Sequence, residues 1–213
     1  MAWKGTAMEK ILTTKEKIIF ESLRLFSQKG YDGVSMREIA TVVGIKGASI
    51  YNHFKGKEEI FNAIFDEMKA HYDNAAISMN IPVEQNDDTV NMYLNIDEKG
   101  LLKMAESLLC FFCKDEFTVM FRKLLMSEQH RFPLAANMLT QYYIDAPILF
   151  QTQLFEGFQK QGAMKEFDAQ VMALQFYSPI YCILCKNDLG VSFDECLQTI
   201  KKHVHEFCRL YTK

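Results

Sequence analysis

Gly44 is the residue that most narrows what this chain can become. It stands between a mostly apolar stretch, Ile39 to Val43, and a mixed one, Ile45 to Phe54, whose apolar positions include Ile45, Ile50 and Phe54. Isolated helices below ~12–15 residues are marginal in water, so each stretch needs a longer neighbour. One precedes them. Thr13-Thr14-Lys15-Glu16 is a capping box that opens a helix. Ile19, Leu23 and Phe26 form its apolar stripe, and Gly30 closes it. Ser35-Met36-Arg37-Glu38 is a second box, and Gly44 ends its helix after two turns. A short helix is then expected from about Lys46 to Phe54, and a longer one from Lys57 to about Met79, carrying Ile60, Ile64 and Met68. Two short helices joined at a glycine behind a longer one are the pattern of a helix-turn-helix. Ala40 allows the close approach, Ile39, Val43, Ile45 and Ile50 fill the wedge, and Phe26 and Phe54 close it.

Charge singles out the same end. The chain of 213 residues carries a formal net charge of −3, yet residues 1–57 hold 10 Lys+Arg against 5 Asp+Glu. The rest is acidic. A basic head on an acidic body suggests a polyanion surface confined to one end. Forty-nine per cent of residues are apolar and 24% charged, which excludes wholesale disorder. No window reaches the ~18 apolar residues of a membrane span, and the first residues lack the pattern of a signal peptide. The chain is expected in the cytoplasm, with no membrane partner.

The remaining pattern is helical. Residues 80–96, with Pro82 and a polar run from Glu84 to Asp88, break the periodicity. Helices are expected near 98–113, 116–130, 134–160, 166–186 and 193–211. The fold class is all-α: an N-terminal three-helix head over 1–57 and a helical body over 58–213. Two C-x-x-C pairs, Cys110/Cys113 and Cys182/Cys185, lie inside apolar helical runs with no basic residue within either pair to favour thiolate. His205 and Cys208 share a helix face that His203 does not. No metal or cofactor is expected. Nor is an enzyme, since G-x-S-x-G, H-E-x-x-H, a phosphate-cradling glycine loop and a convincing acid–base pair are all missing.

On periodicity and charge alone, residues 35–57 fit a helical hairpin as well as a DNA-reading head. The outward positions can be read all the same. Lys46, Gly47, Ala48, Ser49 and Asn52 offer small or hydrogen-bonding groups where a recognition helix meets base edges. Tyr51, His53, Lys55 and Lys57 can donate to phosphates.

The stretch from Thr14 to Phe65 strongly resembles the DNA-binding domain of TetR/AcrR-family transcriptional regulators. The resemblance rests on Ile18, Leu25-Phe26, Gly30-Tyr31, Ser35, Glu38-Ile39-Ala40, Gly44-Ile45, Lys46-Gly47, Ile50-Tyr51, His53-Phe54, Lys57-Glu58-Glu59 and Ile60. It implies a homodimer reading a double-stranded operator through its third helix, with an effector pocket in the body. Carried over by position, Tyr51, His53 and Lys57 look like phosphate contacts, and Lys46 to Ser49 look groove-facing. Ser35 and Arg37 anchor the second helix. Gly56 departs from the Ser or Asn more usual before this Lys, which weakens a cap.

The body supplies aromatic and sulfur side chains suited to a small apolar or amphipathic effector: Met104, Leu108, Phe111, Phe112, Phe121, Met138, Tyr142 and Phe176. Core packing is the competing reading for each. The last two helices are expected to form the dimer surface: Leu174, Tyr177, Tyr181 and Leu184 on one, and Cys196, Ile200, His203, Phe207 and Leu210 on the other, make stripes wide enough to serve both the core and a second copy. The function expected is an operator-bound repressor released by such an effector. Control by a partner protein, or by a thiol or metal signal, is the alternative.

Overall fold

The computed structural model describes residues 12–78 and 98–213. The break expected over 80–96 therefore lies outside the described residues, as does Met79. By packing the chain forms two units, Met1–Asn74 with Asp115–Ala136, and Ala75–Lys114 with Asn137–Lys213. The first unit thus extends past the motif ending at residue 57 and takes in a helix from the middle of the chain.

In the first unit, α1 (Thr14–Lys29) starts as its residues dictate. The Glu16 N–H donates to Thr13 Oγ1 (3.2 Å), and the Thr13 N–H donates to Glu16 Oε2 (2.7 Å). Its inner side buries Ile18, Ile19, Leu23, Leu25 and Phe26. Gly30 ends it at a positive φ of 72°. Helix α2 (Met36–Val43) is capped by Ser35, but its box is only half built, because Glu38 turns away to pair with Lys29. That partner holds the Glu38 carboxyl below its usual range. Gly44, with φ 81° and ψ 29°, closes α2 in the left-handed conformation. The Ile45 N–H reaches back to Ala40 O (3.0 Å) and the Gly44 N–H to Ala40 and Thr41, which satisfies the last carbonyls and reverses the chain. The unit also takes in α3 (Lys57–Ser78) as far as Asn74, and α5 (Glu116–Glu128). Phe20 meets Phe117, and Phe65 meets Phe121, at centroid separations of 6.5 and 5.4 Å.

Asp115 caps α5 by accepting from Thr118 N (2.8 Å) and Thr118 Oγ1 (2.8 Å), and it lies 2.9 Å from His71 Nε2 of α3. Burial works against the carboxylate. The hydrogen bonds from His71 and Thr118 outweigh it and hold the carboxyl below its usual range.

The second unit comprises α4 (Glu98–Lys114), the end of α6 (Pro133–Thr140), a π-helical turn over Gln141–Asp145, α7 (Ala146–Lys160), α8 (Ala169–Asp188) and α9 (Phe193–Tyr211). The expected single helix over 134–160 is thus three helical stretches in sequence. Phe155, Phe176 and Phe207 meet at the centre with centroids 4.8–5.6 Å apart, and the Tyr177 hydroxyl donates to Tyr143 O (2.9 Å) in the interior. Helix α8 runs on through Pro179.

The stripes expected on α8 and α9 serve largely the unit's own core. Tyr177, Leu184, Cys196, Ile200 and Phe207 are all buried in the unit's own core, where an amphipathic stripe is satisfied without a partner. Of the residues expected at the interface, Leu174 and Leu210 remain exposed, at 50% and 59%. The outward side of α8 instead carries Val171, Leu174, Gln175, Ser178 and Cys182.

Candidate nucleic-acid interface

The recognition element is shorter than the spacing predicts. Only Ser49–Asn52 form a 3₁₀ turn, held by the Ser49 N–H on Lys46 O (2.8 Å) and the His53 and Phe54 N–H groups on Ile50 O (3.0 and 3.1 Å). Gly47 and the β-branched Ile50 are poor helix formers, and so short a stretch cannot repay helix nucleation. Its shape comes from beneath. Ile39, Ala40, Ile50 and Phe54 are each at most 2% exposed, and burying one Ile side chain contributes about 1.5–3 kcal/mol. Val43 and Ile45 fill the wedge only in part, being half-buried.

Above this support the expected DNA-reading positions form one outward surface. Lys46, Gly47, Ala48, Tyr51, Asn52 and His53 are exposed and Ser49 half-buried. Tyr51, at 57% exposure, is a large aromatic left in water. A Cβ added at Gly47 would meet nothing within 4 Å. No packing within the described residues demands glycine there. Ser35 and Arg37 are also exposed, with Ser35 spending its hydroxyl on the Glu38 N–H. Lys57 behaves differently. Its ammonium donates to Tyr31 O (2.7 Å) and sits 4.4 Å from the centre of the Tyr31 ring. At α3, Gly56 still supplies its carbonyl to the Ile60 N–H (3.4 Å), and Glu59 Oε2 reaches back to the Lys55 N–H (2.6 Å). The chain thereby recovers some of the capping a Ser or Asn would provide.

Sequence reasoning missed the residues that hold the α1–α2 loop. The Tyr31 N–H donates to Glu128 Oε1 of α5 (2.9 Å). Gly33 is forced by its own backbone, since a Cβ there would lie 2.4 Å from Lys29 O. Gly33 could have been suspected from its place before a helix cap. Nothing local points to Glu128, 97 residues further on.

The expected effector residues are divided between the two units. Phe121 is fully buried in α5 of the first unit. Phe176 belongs to the central aromatic core of the second. Met104 and Phe112 pack half-buried against that core. Leu108, Phe111, Met138 and Tyr142 are half-buried, with the Phe111 and Phe112 rings 5.3 Å apart. A separate open groove between α7 and α8 is lined by Asp145, Ile148, Leu149, Thr152, Gln170, Val171 and Leu174.

The thiols offer no gathered ligand set. Cys110 and Cys182 are exposed, Cys113 and Cys185 half-buried, and no three metal-binding side chains converge among the described residues. His203 Nε2 lies 2.8 Å from Phe176 O, and His205 Nδ1 2.9 Å from Glu98. Burial pushes the Cys208 thiol up to about 11, with Glu98 adding to it. Cys196 is raised for the same first reason. Among the described residues no helix is long and apolar enough to cross a membrane.

Fold and surface together define a helix-turn-helix protein with a helical second unit. Residues 18–64 match the family model of bacterial regulatory proteins, tetR family. A stretch of 47 residues is 51% identical to the biofilm operon icaADBC HTH-type negative transcriptional regulator IcaR of Staphylococcus epidermidis. That stretch spans 22% of this chain and about a quarter, 25%, of the relative. Over nearly the whole chain the fold is similar to that of a TetR-family transcriptional regulator from Marinobacter aquaeolei, with TM-score 0.66, 18% identity, and 95% of this chain and 92% of that one covered. It is also similar to the flavonoid-responsive regulator FrrA, with TM-score 0.57, 20% identity, and coverage of 93% and 97%. Residues 18–64 are thus similar to the DNA-binding domain of tetR-family regulators, and the fold as a whole is similar to that of solved regulators. The relatives named here are all called regulators.

Proposed function

We propose that this chain is a sequence-specific DNA-binding repressor of transcription, acting as a homodimer and released from its operator by a small apolar or amphipathic ligand. The observation that carries DNA reading is the surface over Lys46–His53: polar and small side chains outward, Ile50 and Phe54 buried below, and a glycine at 47 that the described structure itself does not require. Lys46, Gly47, Ala48 and Ser49 face base edges, with Tyr51 and His53 on flanking phosphates. Two such turns address successive major grooves about 34–36 Å apart. Repression is supported by the name of IcaR, a negative regulator. Response to a small molecule is supported by the name of FrrA and by the half-buried Met104, Leu108, Phe111, Phe112, Met138 and Tyr142. Pairing of two copies uses the outward side of α8, where Val171 and Leu174 stand about half exposed.

The test is electrophoretic mobility of DNA flanking the gene, titrated with protein at two salt concentrations beside an unrelated duplex. A discrete complex with a preference of about 10³-fold or more is expected, and the same complex serves to screen apolar ligands for release. Equal smearing on both duplexes, abolished by salt, would mean that only phosphates are read and would overturn operator recognition.

A further inference from the structure

Tyr31 is gripped on every side. Its N–H donates to Glu128 Oε1 (2.9 Å), and its carbonyl accepts from Lys57 Nζ (2.7 Å). Its ring lies 5.3, 5.0 and 5.1 Å from Phe26, Phe61 and Phe132. Both peptide units flanking Tyr31 are therefore fixed, one by α5 and one by the first turn of α3. The neighbours leave little play. A Cβ at Gly30 would come within 3.2 Å of Glu128 Oε1, and one at Gly33 would strike Lys29 O. Two residues beyond Gly33, Ser35 caps α2, which holds Ile39 beneath the recognition turn.

Glu128 is an expensive way to make one hydrogen bond. The residue is 3% exposed, and its second oxygen is buried with no hydrogen-bond partner among the described residues. A buried carboxylate so poorly compensated costs more than an apolar side chain of similar size. Plain stability does not account for it. The nearby ion pair of Arg131 with Asp32 (2.6 Å) is more than half exposed and adds little. What Glu128 does supply is a charge-assisted acceptor for one specific N–H. The chain enters α5 from Lys114 and returns beyond Ala136 to the second unit, so α5 belongs to the head by packing and to the body by connection.

We infer that Glu128 is a positioning residue for operator reading: through the Tyr31 N–H it sets the α1–α2 loop, and hence α2 and the turn above it, in the conformation that fits DNA. This rests on the DNA-reading proposal. The experiment compares wild type, Glu128→Gln and Glu128→Leu on the operator that wild type selects and on an unrelated duplex, with thermal unfolding of each protein. The carboxamide keeps an acceptor for Tyr31; the leucine fills the space without one. Glu128→Leu is expected to unfold no earlier than wild type yet bind the operator about tenfold more weakly. Its salt slope should be unchanged, because no phosphate contact is lost. Glu128→Gln is expected within about threefold of wild type. A stable leucine variant that binds as wild type would overturn the inference. So would a glutamine variant as weak as the leucine one, or an affinity loss matched by early unfolding. Failure of wild type itself to select a duplex is a separate result, and it removes the DNA reading instead.

Discussion

The two units use helices for opposite purposes. In the first, a four-residue turn is displayed on a support of buried Ile39, Ile50 and Phe54, and its outer side is polar, small and basic. In the second, helices of 15 to 20 residues close around Phe155, Phe176 and Phe207. Part of the apolar surface left outside, Leu149, Val171 and Leu174, lines an open groove. A segment too short to be a stable helix can carry a function only if its inner side is over-determined. A long helix needs no such help, so its surface is free to be apolar and to meet a partner. The first unit is thus specified residue by residue, and the second by the sum of its packing.

The most severe way to break that contrast is in the second core. Phe155→Ala removes the ring shared by Phe176 and Phe207 and should cost about 3–5 kcal/mol in a urea melt. A cost under about 1 kcal/mol would show that the aromatic cluster is not the centre of that unit's stability. The next test separates stability from reading. Gly47→Val has open space for its side chain, so the melting temperature should stay within a degree or two while operator affinity falls about tenfold, about 1.4 kcal/mol. Retained affinity would remove Gly47 from the interface.

A finer test concerns charge. Lys55→Gln, at an exposed position that can donate to a phosphate, should lower the salt slope of operator binding by about 0.9, the signature of one lost phosphate contact. Lys57→Gln should weaken binding with the slope nearly unchanged, because Lys57 spends its ammonium on Tyr31. A slope lowered equally by both would return Lys57 to the phosphate contacts that the family resemblance implies.

The smallest effect is on acid stability. The Asp115 carboxyl is held below its ordinary range in the fold, so its contribution is present above the unfolded value, near 3.8, and is lost as pH falls through the folded one. Asp115→Asn should therefore flatten the acid limb of the stability curve below about pH 4, with little change at pH 7 beyond the loss of the His71 pairing. An unchanged acid limb would show that the carboxylate is not the group responsible.

How much of this was legible in the sequence depended on distance along the chain. The caps at Thr13 and Ser35 and the reversal at Gly44 each close within a few residues, and the structure builds them where the pattern puts them. The recognition turn was placed correctly but drawn too long, because periodicity does not report that Gly47 and Ile50 resist continuous helix. The stripes on α8 and α9 were seen correctly as apolar, but spacing alone did not divide them between the core and a partner. A stripe at spacings of three and four says that something covers it, and here the cover is the unit's own Phe155 and Phe176.

Sequence by itself thus determined the helical class, the position of the head and the side chains it presents, because those follow from bonds and spacings within one or two turns. Only the tertiary structure decided that Phe121 belongs with the head, that Lys57 turns to Tyr31, and that Glu128 closes on a loop 97 residues behind it. Those choices depend on which helices come to lie side by side. Packing settles that by burying the most apolar surface at once, and no single stretch of residues records the outcome.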